Sequence, residues 1–124
     1  MPVKRKRCVI VEDKTLEANS MRQWLESQGH QVVQTFNNGK AFRDWYAEHE
    51  IDLLILDIIM PVQDGFSTFF DLLNEGRLPA TIFVSVENSA AIVKALKDAG
   101  AADFISKPLS RDVFLEHVKK AIDK

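Results

Sequence analysis

Apolar residues along this chain gather in short solid runs, separated by stretches where they recur every three or four positions. Cys8-Val9-Ile10-Val11, Gln31-Val32-Val33-Gln34-Thr35 and Thr81-Ile82-Phe83-Val84-Ser85 read as strands. So does Ile51-Asp52-Leu53-Leu54-Ile55-Leu56, whose unbroken Leu53–Leu56 core marks a strand buried on both faces. A short fifth strand is predicted over Asp103-Phe104-Ile105-Ser106. Between these runs the spacing turns helical. Leu16, Met21, Trp24, Leu25 and Gln28 trace one face of a first helix, which Gly29 stops. Phe42, Trp45, Tyr46 and His49 mark a second, and Phe66, Phe69, Phe70 and Leu73 a third. Ile92, Val93, Leu96 and Ala99 mark a fourth, capped by Asn88 or Ser89 and closed by Gly100. Phe114, Leu115, Val118 and Ile122 line the inner face of a fifth, capped by Ser110. Five strand–helix pairs in strict alternation predict an α/β domain, with one parallel five-stranded sheet covered by helices on both faces.

Length and charge narrow the picture. The 124 residues suit one domain over 1–124, with no linker or repeat to divide them. Sixteen basic against eighteen acidic side chains leave −2, so no broad positive field invites nucleic acid. Lys4-Arg5-Lys6-Arg7 is a basic cluster, read as a solvated lead-in to the first strand. The single Cys8 excludes an internal disulfide and reads as a small buried hydrophobe. No stretch is apolar enough for a signal peptide or membrane span, so a soluble cytoplasmic protein without membrane contact is expected. His30, His49 and His117 lie scattered, without metal-ligand spacing.

The chemistry gathers at strand ends. Glu12-Asp13 follows the first strand, Asp57 ends the third, Ser85 ends the fourth, and Lys107-Pro108 follows the fifth. In a parallel open sheet these ends lie along one edge, where ligands bind. Glu12, Asp13 and Asp57 would crowd three negative charges there, which is unfavourable without a cation. Oxygen-only ligands suit Mg2+. Taken singly, a strand-end Asp is usually a solvated cap, Lys-Pro a surface turn, and Glu12-Asp13 a helix cap. Together they require four coincidences at one edge.

These residues resemble a response-regulator receiver domain, the phospho-accepting module of two-component signalling. The likeness covers the whole chain: an acidic pair after strand one, Asp57-x-x-Met60-Pro61-x-x-Asp64-Gly65 after strand three, a hydroxyl ending strand four, and Lys107-Pro108 after strand five. It implies a flavodoxin-like fold with strand order 2-1-3-4-5 and a cis bond at Lys107-Pro108. It implies Asp57 as phospho-acceptor, with Asp13, Asp57 and the Ile59 backbone carbonyl on Mg2+ and Glu12 acting through water. Lys107 would stabilise the transferring oxygens, and Ser85 would donate its hydroxyl to a phosphate oxygen. Ser85 and Phe104 would form the switch. The face of helix four, strand five and helix five, with Lys94, Lys97, Asp103 and Phe104, would signal onward. A histidine kinase or phosphotransfer protein stands upstream and an output protein downstream. Such a chain is no enzyme beyond its own phosphorylation and dephosphorylation.

Two residues depart from the usual receiver pattern. Val86 follows the strand-four hydroxyl where a small residue is common, and Ile59 offers no side-chain polar atom to an attacking water. Both argue for slow hydrolysis of the phosphorylated state. The charged positions of helix five used for dimerisation by winged-helix regulators fall on His117 and Val113, so that dimer is not expected. A haloacid-dehalogenase phosphatase needs Asp-x-Asp after its first strand, and a flavodoxin needs a Ser/Thr/Gly-rich loop there. Glu12-Asp13-Lys14-Thr15 supplies neither. The alternative is a pseudo-receiver that binds protein without taking phosphate.

Overall fold

The computed structural model describes residues 5–123. Five parallel strands, β1 (Arg7–Val11), β2 (Gln31–Phe36), β3 (Leu53–Asp57), β4 (Ala80–Ser85) and β5 (Asp103–Ser106), form one sheet in the order β2-β1-β3-β4-β5. The helices are α1 (Thr15–Ser27), α2 (Gly39–Tyr46), α3 (Gly65–Asn74), α4 (Ala90–Ala99) and α5 (Arg111–Ile122). Alternation and strand order both match the sequence expectation. Of the basic cluster, Lys4 lies outside the described residues, while Arg7 pairs with Asp52 at 3.2 Å.

Successive strand residues point to opposite faces, and this divides the apolar residues into two cores. Cys8, Ile10, Leu53, Ile55, Ile82, Val84 and Ile105 pack with Met21 and Leu25 of α1 and Phe114 and Val118 of α5. Val9, Val11, Leu54, Leu56, Phe83 and Phe104 pack with Phe42, Phe69, Leu72 and Leu96 of α2, α3 and α4. Each fully buried Leu, Ile or Phe contributes about 1.5–3 kcal/mol of transfer free energy, so the sheet is anchored from both sides. Burial also pushes the Cys8 thiol up to about 12, keeping it an inert core residue.

The helical periods are as expected, but two phases shift. On α1 the buried stripe is Ala18, Met21 and Leu25, while Leu16 is 83% exposed and Gln28 is exposed. The helix begins only at Thr15, so Leu16 stands in its first turn, beyond the sheet surface the later turns cover. On α3, Thr68, Phe69 and Leu72 are buried, leaving Phe70 and Leu73 more than a third exposed. Ser89 is the cap of α4, its hydroxyl accepting the Ile92 N–H at 3.3 Å. Ser110 holds the cap position of α5 without a side-chain hydrogen bond among the described residues.

Candidate functional site

Parity along the strands decides which polar residues meet. Glu12 follows Cys8 and Ile10, Asp57 follows Leu53 and Ile55, and Lys107 follows Ile105, all on the α1/α5 side. At the carboxyl edge Lys107 Nζ donates to Glu12 Oε1 at 2.6 Å and to Asp57 Oδ2 at 3.1 Å. The three side chains are 5%, 0% and 3% exposed, so these contacts are nearly dry. The Lys107 N–H donates to the Ser85 carbonyl at 2.9 Å, and the Lys107-Pro108 peptide is cis, as the resemblance implied.

Burial sets the electrostatics. It pushes the Glu12 carboxyl up to about 8, reinforced by Asp57 beside it and opposed by Lys107. Burial by itself would lower the Lys107 ammonium, but Glu12 and Asp57 outweigh it and hold the pKa above the usual lysine value. The cluster is thus one cation shared among more anions than it can neutralise.

Asp13 completes the acidic group. Glu12, Asp13 and Asp57 each offer an oxygen lying within 4.8 Å of the others. Asp13 Oδ1 is buried and has no hydrogen-bond partner among the described residues, its nearest cation being Lys14 Nζ at 3.9 Å. An orphaned buried carboxylate oxygen facing two more carboxylates fits a hard divalent cation. The acids are not caps: α1 starts after Lys14 with no side-chain capping bond, though Glu12 Oε2 accepts the Lys14 N–H at 3.2 Å.

The loop after β3 is held tightly against Asp57. The Ile59 N–H donates to Asp57 Oδ1 at 3.3 Å, and the Gly65 N–H donates to the Ile58 carbonyl at 2.8 Å. A Cβ at Gly65 would lie 2.1 Å from the Asp57 carbonyl oxygen, so only glycine lets α3 start this close. Val62 turns the loop at φ 68°, a left-handed conformation that strains a β-branched residue by about 1–3 kcal/mol. The side chains of Ile59 and Val86 stand 49% and 62% exposed on the loops after β3 and β4.

Ser85 and Phe104 take the opposite face. Ser85 shares the parity of Phe83, and Phe83 pairs in register with Phe104, the two rings stacking 6.3 Å apart. Ser85 is fully buried and its oxygen accepts the Glu87 N–H at 3.1 Å, leaving the hydroxyl proton to donate elsewhere. Farther along the α4–β5–α5 face, Lys97 pairs with Asp103 at 3.3 Å and His117 Nδ1 also contacts Asp103. Lys94 is spent on Asp98 at 2.6 Å.

The structure brings every sequence-predicted site residue to the carboxyl edge or to the strand behind it. It adds one that strand-end reasoning missed. Glu17, in the first turn of α1, places Oε1 3.1 Å from Lys107 Nζ. Its signal was an acid in the first turn of the helix that directly follows Glu12-Asp13.

A family model described as the response regulator receiver domain matches residues 8–119. The chain is 31% identical over 117 residues to the chemotaxis protein CheY of Bacillus subtilis, covering 94% of this chain and 98% of that protein. It is 30% identical over 105 residues to response regulator GtcR of Aneurinibacillus migulanus, covering 85% of this chain and 43% of that longer protein. Among solved structures, the CheX-CheY-BeF3-Mg2+ complex of Borrelia burgdorferi superposes with TM-score 0.85 at 27% identity, covering 95% of this chain and 90% of that one. No helix among the described residues is long and apolar enough to cross a membrane.

Proposed function

The chain belongs to the response-regulator receiver domain family, and from that premise we propose that it is a phosphorylation-dependent switch whose acceptor is Asp57. Residues 1–124 would act as one receiver unit, taking the phosphoryl group from a histidine kinase or phosphotransfer protein and reporting to an output protein. The observation that carries this reading is the buried Asp57 carboxylate held at 3.1 Å by Lys107, beside the unpartnered oxygen of Asp13.

One Asp57 oxygen attacks the donor phosphorus, forming a phosphorus–oxygen bond while the donor's bond to phosphorus breaks and its electron pair leaves with the donor. Lys107 holds a fixed positive charge where the transferring oxygens gain negative charge, without waiting for solvent to reorganise. Asp13, Asp57 and the Ile59 carbonyl would hold Mg2+, with Glu12 acting through water. When bound, Mg2+ supplies the positive charge that lets carboxylates and phosphoryl oxygens share the edge. Ser85 then donates its free hydroxyl proton to a phosphoryl oxygen. Its movement repacks the Phe83–Phe104 side of the sheet, a local charge event biasing a packing equilibrium. The α4–β5–α5 face, with Lys94, Lys97, Asp103 and Phe104, carries the result outward.

Intact mass after incubation with acetyl phosphate and Mg2+ tests the acceptor. Wild type gains one phosphoryl group, and EDTA or Asp57→Ala abolishes the gain. Equal labelling of Asp57→Ala would overturn the assignment. Ser85→Ala is expected to keep its label but lose the NMR shift changes at the α4–β5–α5 face on adding beryllofluoride. Equal changes in wild type and Ser85→Ala would sink the coupling.

A further inference from the structure

The Lys107 ammonium has three N–H donors, and three carboxylates surround it: Glu12 at 2.6 Å, Glu17 at 3.1 Å and Asp57 at 3.1 Å. Nζ donates hydrogen bonds to Glu12 and Asp57 and meets Glu17 as an ion pair without hydrogen-bond geometry. An incoming phosphoryl group competes with all three carboxylates for the one ammonium, and the three differ in what release costs. Glu12 is fully buried, so releasing it would leave a buried carboxyl group without its partner. Asp57 is the reacting group itself. Glu17 is 31% exposed and stands on the first turn of α1, so water solvates it as soon as the contact opens.

We propose that Glu17 is a positioning residue that restrains Lys107, and that breaking the Glu17–Lys107 ion pair is part of the barrier to phosphoryl acceptance at Asp57. The proposal rests on the acceptor reading above and deepens it. While the ion pair holds, the ammonium is turned toward α1. Once the phosphoryl group is seated, Lys107 exchanges Glu17 for a phosphoryl oxygen. Glu17 is then a free anion beside Leu16, which is itself 83% exposed. A first-turn acid also favours the helix dipole, so a stability change alone cannot report the restraint. Rate can.

The test measures labelling by acetyl phosphate in saturating Mg2+, in which Asp57 displaces acetate from phosphorus. Glu17→Gln removes the charge and weakens the contact. Glu17→Asp keeps a first-turn anion but is one methylene too short to hold Lys107. Both variants are expected to label roughly threefold to tenfold faster than wild type, the range of a partly screened charge pair. The gain should shrink in about 1 M salt, where the screening length falls to roughly 3 Å. If Glu17→Gln accelerates labelling but Glu17→Asp matches wild type, general negative charge rather than the contact sets the rate, and the restraint is wrong. Unchanged or slower labelling in both variants overturns it too, and leaves the acceptor reading intact as long as wild type is labelled. A wild type that takes no label overturns the acceptor reading and this inference with it.

Discussion

The two ends of the sheet treat charge in opposite ways. At the amino end the acids are matched. Asp52 accepts from the Arg7 backbone at 2.8 Å and pairs with its guanidinium at 3.2 Å, while Asp103 is met by Lys97 and His117. At the carboxyl end Glu12, Glu17 and Asp57 surround Lys107, and Asp13 beside them has only Lys14, at 3.9 Å. The pKa directions follow. Asp103 is partly buried, which would raise it, but its contacts with His117, the Phe104 N–H and Lys97 hold it below the usual carboxylate range. Asp52 is likewise held down, chiefly by Arg7. Glu12 is driven up instead. A matched end stabilises the fold as built, whereas an unmatched buried end keeps a standing demand for positive charge, the condition for a cation site.

The largest expected effect separates the two ends by metal affinity. Asp13→Ala removes the orphaned oxygen and is expected to weaken Mg2+ binding on the order of 100-fold, as loss of a metal-site group commonly does. Asp103→Asn, at the matched end, should leave it unchanged. Calorimetric titration checks both, and equal losses would show that the whole sheet, not its carboxyl edge, sets affinity.

A smaller effect concerns turnover. Ile59→Asn with Val86→Ala should offer a polar anchor to water and open the approach to the phosphorylated acceptor. Loss of label is then expected to quicken by roughly tenfold, about 1.4 kcal/mol of barrier. Magnesium affinity should hardly move, because the Ile59 backbone carbonyl is retained. Decay followed by intact mass decides it. No change would mean these exposed side chains do not limit hydrolysis.

A further effect is in pH dependence. Glu12 titrates at about 8 folded against 4.5 unfolded, so the native state holds a proton that the unfolded state has lost across that window. Its contribution is full below pH 4.5 and declines as pH rises toward 8. In EDTA, urea unfolding should show stability falling steadily between pH 5.5 and 8, after allowance for other groups. Saturating Mg2+ favours the ionised carboxylates and should flatten the slope. Asp103 runs the other way, its contribution present above its unfolded value of 3.8 and lost in acid. A slope indifferent to Mg2+ would place its origin outside the carboxylate cluster.

Much of the fold and site was legible in the residues. Solid apolar runs and helical spacing are local properties of the chain, so they gave the order of elements. Strand ends in a parallel sheet must lie on one edge, so they gave Glu12, Asp13, Asp57, Ser85 and Lys107 as a group. Helix phase was harder to read. Leu16 and Phe70 satisfy the spacing as well as Ala18 and Phe69 do, and only the helix start and its docking choose between them. Val62's positive φ likewise has no local signature in a β-branched residue.

The sequence by itself determined the alternation, the burial of β3 on both faces and the charged residues at the strand ends, because side-chain period and charge need no partner to be expressed. Tertiary structure alone decided that Lys107 meets Glu12, 95 residues away, and that Glu17 is its third carboxylate. It also left one oxygen of Asp13 without a hydrogen-bond partner among the described residues. Those facts depend on strand order and on where α1 comes to rest. They are set by the packing of Met21, Leu25 and Phe114 against the sheet, not by anything written beside the charges themselves.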